Sequence, residues 1–230
     1  MRKITAIAIF AITLFSACTK TGTINDVTLN YSFNLLNQSS SLNTEAASGT
    51  PVAAGTNGSI NWTSATINIS KAEFSASHAG STTTLSSSNL FGINPFRPDS
   101  LSGTVSIPSG VYENLHFNIT MNESATNPPL TLNGTYTEAS GTKIPVVVTL
   151  NSVITFAKEA KRIEVTSGKY VAKVTIELNA LVKGLTASDF GQTTRTSPNN
   201  TILVNYNTNR TLYDKLKARL PNTISINVSK

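Results

Sequence analysis

Few side chains in this chain could carry chemistry. The two histidines, His78 and His116, stand 38 residues apart, and there is no HxxxH pattern. A catalytic or zinc-binding histidine needs further ligands at defined spacing, and none accompanies either one. His116 lies between Leu115 and Phe117 and reads as the solvent-facing residue of an alternating strand. Asp26, Asp99, Asp189 and Asp214 each stand alone, whereas a glycosidase needs a paired acid and base. Asp-x-Asp calcium loops, glycine-rich phosphate loops and a Gly-x-Ser-x-Gly elbow are all missing from the sequence. No catalytic residue, metal ligand or cofactor is therefore assigned, and an enzyme is not expected.

Three features are left. Trp62, the only tryptophan, could join tyrosines in a sugar-stacking platform, but its alternation with Ile60 favours the core. The second feature is charge. From Cys18 to Thr142 there are three basic and seven acidic residues; from Lys143 to Lys230 there are thirteen basic and five acidic. Lys158, Lys161, Arg162, Lys215, Lys217 and Arg219 are candidates for a basic patch facing anionic glycan, lipid headgroups or an acidic partner. The competing reading scatters them around a sandwich whose strands interleave. Nucleic acid is not an expected partner, because no basic-plus-aromatic stacking motif accompanies the charge. The third feature is Cys18, the only thiol, so the chain can form no internal disulfide.

The elements that must position these residues are mostly strands. Val27–Leu36, Tyr112–Met121 and Tyr170–Leu178 alternate apolar and polar with period two, the mark of a half-buried strand. Ile60–Phe74 alternates with a change of phase near Ser64–Ala65, which predicts a bulge or a break. Leu130–Tyr136, Ile144–Leu150, Val153–Phe156 and Ile163–Thr166 continue the series, with a hairpin expected at Ser167–Gly168. Gln38–Asn57 and Gly191–Asn200 read as loops, and His78–Ser88 as a turn and a weak edge strand. Near the end the period changes. Leu212, Leu216 and Leu220 are four apart, with Asn209 as a candidate cap and Pro221 as a stop, so a helix is predicted there. The expected fold is all-β: an antiparallel β-sandwich of about ten strands with one late C-terminal helix. It fills residues 27–230 as one domain, a split near residue 100 or 142 being the alternative.

The N-terminus has a different character. Arg2 and Lys3 precede the uncharged, largely apolar stretch Ile4–Phe15, too short to span a bilayer. Leu14-Phe15-Ser16-Ala17-Cys18 then resembles the lipobox of bacterial lipoproteins. That resemblance implies that residues 1–17 are a removable signal peptide, that Cys18 carries the lipid, and that residues 18–26 are a tether. It also implies a place in the cell envelope, on the outer membrane, with the membrane face left open.

Asp99-Ser100-Leu101 resembles a short bacterial O-glycosylation motif, which makes Ser100 a candidate acceptor. Pro108-Ser109-Gly110-Val111-Tyr112 leading into an alternating strand, with Cys18 and the late helix around Tyr213, resembles fimbrillin-like and uncharacterised β-sandwich lipoproteins of Gram-negative bacteria. Together these readings predict a non-catalytic binding or structural module. The alternative is a glycan-binding accessory of an outer-membrane uptake system. Expected partners are the membrane, through Cys18, and either a glycan or another envelope protein.

Overall fold

The computed structural model describes residues 26–42, 58–78, 80–97, 101–166 and 168–229. Among the described residues thirteen strands form two sheets. The smaller sheet has the order β13 (Ile224–Ser229), β10 (Lys169–Glu177), β1 (Asp26–Leu36), β5 (Leu101–Pro108). The larger is organised around β3 (Ser59–His78), a strand of 20 residues. Along one edge β3 pairs first with β7 (Leu130–Thr137) and then with β6 (Gly110–Met121). Along the other it pairs with β2 (Ser39–Ser41) and β4 (Ser81–Ile93). From β7 the sheet continues through β8 (Lys143–Leu150) and β12 (Thr201–Val204) to β11 (Arg195–Thr196). From β6 it ends at β9 (Ile154–Val165).

The long sheet has two covers. Where β3 meets β6, the small sheet packs on it, burying Val27, Leu29, Tyr31 and Phe33 against residues such as Ala72, Phe74 and Phe117. Where β3 meets β7, short helices take over: α1 (Leu178–Val182), α2 (Ala187–Gly191) and α3 (Arg210–Arg219). Phe190 of α2 stacks on Tyr136 of β7 at 4.9 Å between centroids. The Tyr213 hydroxyl of α3 donates to the Asn151 carbonyl at 3.1 Å. Leu212 and Leu216 are buried beside it, as the four-residue spacing requires.

The all-β sandwich and its late helix are present, with several differences from the expectation. β3 runs unbroken through its phase change; the register slips between Trp62 and Ser64, and a bulge returns apolar residues to the inner face. β9 also runs unbroken through Ala157–Arg162, which looked like a gap because that segment is charged. Two strand pairs are parallel, β1 with β10 and β8 with β12. β9 and β10 do not form the hairpin expected at Ser167–Gly168, since they belong to different sheets; Ser167 itself lies outside the described residues. Asn209 does not cap α3 with its side chain. It sits at φ 55° and spends its amide on the Thr194 and Leu203 carbonyls instead. The effective cap belongs to α2, where Thr186 and Asp189 form a reciprocal capping box.

Candidate functional site: a groove between two sheet edges

β9 ends the large sheet and β13 ends the small one, so neither has a second strand neighbour among the described residues. The two edges lie side by side and leave the sandwich open along this flank. A groove of about 370 Å³ runs between them, walled by Thr155, Phe156, Ala157 and Lys158 on one side and Pro221, Ile224, Ser225 and Ile226 on the other. Beneath it is an apolar cleft of about 50 Å³ between the sheets, walled chiefly by side chains such as Leu29, Phe117, Tyr170 and Val228. Lys158 borders both spaces.

The strand register explains the position of Lys158. Ile154, Phe156 and Lys158 share the inward phase of β9, and Lys158 lies opposite Phe117 of β6. The first two are buried and Lys158 is exposed at the rim. A cation therefore occupies a place where the alternation calls for an apolar residue. The open flank admits it, since a lysine can lay its stem on apolar surface and keep its head in water. An inward-pointing charge on an edge strand also discourages indiscriminate pairing. The next residue, Glu159, points outward and pairs with His116 at 3.2 Å. His116 is thus solvent-facing, as expected from its strand.

The remaining candidates fall elsewhere. Trp62 is 1% exposed in the core on β3, beside Gly134 of β7; its ring faces are closed to a sugar, which corrects the platform reading. The six basic residues form two groups. Lys158, Lys161 and Arg162 lie on β9, and Lys215, Lys217 and Arg219 on α3. Two of the α3 group are engaged locally: Lys215 pairs with Asp189, and Arg219 donates to the Lys215 carbonyl at 2.9 Å. Burial raises the Asp189 pKa, but the Lys215 ammonium and the Thr186 backbone N–H and hydroxyl outweigh it. The carboxyl ends below its ordinary value. Cys18 and Ser100 lie outside the described residues.

Sequence reasoning missed the groove because two facts create it, and neither is local. One is that β9 and β13 are edges; the other is that they come from different sheets. The one available signal was the run Lys158–Arg162, charged on both faces of a strand, which suits only an edge. Among the described residues no three His, Cys, Asp or Glu side chains gather as a metal site would require, and no helix is long and apolar enough to cross a membrane. No family model, curated protein or solved structure matches the chain.

Proposed function

We propose that this protein is a lipid-anchored lipoprotein of the Gram-negative cell envelope, held at the outer membrane through Cys18, whose body is a non-catalytic binding module. The observation that carries the reading is the groove between β9 and β13. Two unpaired backbone edges face it, and only an extended polypeptide supplies donors and acceptors in strand spacing to such an edge. The occupant is an extended segment of another envelope protein. Lys158 and Arg162 on β9 favour acidic side chains on that segment, and the apolar cleft beneath takes one apolar side chain, in the alternation that strand addition produces.

The placement of the N-terminus supports an anchored arrangement. Seven residues separate Cys18 from β1, a reach of at most about 25 Å. β1 starts opposite Pro108, and Gly110 lies opposite Val165, so the end of the sandwich carrying Asp26 also carries the Pro108–Gly110 turn and the β9–β10 crossing. On this reading that end faces the membrane, and the groove climbs away from it toward the helical end. Acyl chains at Cys18, at about 0.8 kcal/mol per buried methylene, provide the anchor.

A photo-crosslinking residue placed at Ser225, in the full chain in cells, tests the binding role. Expected is an adduct mapped by mass spectrometry to an acidic, alternating stretch of an envelope protein, lost when Lys158→Glu is added and absent from a control position at Ser140. Equal labelling from both positions, or an adduct indifferent to Lys158→Glu, would contradict the reading. A glycan array with selective binding, unaffected by Lys158→Glu, would favour the uptake-system alternative.

A further inference from the structure

We propose that β4 is a homodimer interface: two copies pair their β4 strands antiparallel, with Leu85 on the two-fold axis, joining their large sheets into one. This goes beyond the groove and rests on a different edge.

β4 hydrogen-bonds only to β3, so no strand among the described residues pairs with its other edge. It is 13 residues long, and none of them is charged or proline. The other open edges differ. β9 carries Lys158, Glu159, Lys161, Arg162 and Glu164. β5 and β13 have only eight and six residues, and β5 ends in Pro108. Charge, proline and shortness keep edges from pairing, and β4 uses none of these; a bulge, another such device, is confined to its far end around Asn89 and Gly92.

Its faces are open as well. Thr82, Thr84, Ser86 and Ser88 point outward and are exposed, while Thr83, Leu85 and Ser87 point inward and are only half covered. Phe91 is 48% exposed. β5 of the small sheet runs beside β4, yet Leu85 stays only half covered at this hydrogen-bonding edge.

A second copy fits better than an unrelated strand. In an isologous antiparallel contact residue i meets residue j and j meets i, so a second copy of this uncharged strand brings no charge against it anywhere along its length. With Leu85 on the axis, Thr84 lies opposite Ser86 of the second copy and Thr83 opposite Ser87, and the two Leu85 side chains meet on the inner face. Ser81–Asn89 is centred on Leu85 and spans about 30 Å at strand rise. That length supplies a number of main-chain bonds comparable to the roughly ten direct hydrogen bonds of a stable interface.

Sedimentation equilibrium of the full chain in density-matched detergent tests the proposal. The native protein is expected to dimerise. Thr84→Lys with Ser86→Lys sets lysines opposite lysines twice by symmetry, and the dimer Kd is expected to rise at least about fivefold. Thr84→Glu with Ser86→Lys sets opposite charges together and is expected to restore the native Kd within about twofold. Both positions are exposed, and an unchanged thermal melt verifies that each variant folds. A native protein that stays monomeric at all concentrations would overturn the proposal, as would a dimer indifferent to the paired lysines. Failure of the Glu/Lys variant to recover would overturn the register.

Discussion

Replacing Gly134 by alanine should unstitch the junction between β3 and β7. Gly134 lies opposite Trp62, where the register slips. A Cβ at this position would sit 2.6 Å from the Asn61 carbonyl oxygen, 3.0 Å from the Trp62 ring and 3.1 Å from the Trp62 Cα. Two of these three neighbours are backbone, and in contact carbon atoms stay about 3.5–4.0 Å apart. Relief requires moving a strand, not turning a side chain. Overpacking of this kind costs about 1–3 kcal/mol, and backbone involvement places Gly134→Ala at the upper end, about 2–3 kcal/mol. For a chain of this size that lowers Tm by roughly 4–12 °C. Trp62, the only tryptophan, reports the change directly through its fluorescence, alongside circular dichroism. Gly191→Ala serves as the control, since a Cβ there meets nothing within 4 Å; its effect should stay within about 0.5 kcal/mol. Equal melting of the two variants would refute the packing argument.

Other expectations follow from the same structure. Asp189→Asn removes the Lys215 pair and half of the capping box and is expected to destabilise by about 1 kcal/mol at neutral pH. The Asp189 carboxyl has its folded-state pKa below the unfolded value. Its contribution is therefore present above about pH 4 and disappears as the pH falls through the folded value; urea titrations of both proteins should converge there, and a gap that persists into acid would disprove the linkage. Phe190→Ala removes the ring stacked on Tyr136 and is expected to cost about 3–5 kcal/mol by chemical denaturation; a loss below 1 kcal/mol would mean that the helices do not cover the sheet. Lys158→Leu completes the inward apolar phase of β9 and removes its guard, so light scattering should show faster aggregation at unchanged Tm; unchanged colloidal behaviour would count against the guarding role.

Much of this architecture is written in period-two patterns. β6, β7, β8 and β10 bury alternate residues, and their apolar positions announce it; β1 alternates in sequence but is buried on both faces, Asn30, Ser32 and Asn34 included. β4 was less legible because serine and threonine fill both faces, and a strand half covered on one side has little apolar residue to display. The middle of β9 was hidden for the opposite reason: its charges are tolerated only at an edge, and no local pattern states which strand is an edge. The parallel pairing of β1 with β10 joins residues about 140 positions apart, beyond the reach of turn signals. Asn209 shows how context overrides a local rule, since its side chain serves the Thr194 and Leu203 carbonyls where a capping role was expected. Of the site, Lys158 was legible as a cation, but not as a cation standing in a core-facing register above a groove.

The proposed placement of this β-rich module at the envelope through Cys18 is most directly tested by the intact mass of the mature protein extracted from cell membranes. The expected chain begins at Cys18 and carries the added mass of a thioether-linked diacylglycerol. A mature chain that begins elsewhere, or that retains an unmodified Cys18 thiol, would contradict it.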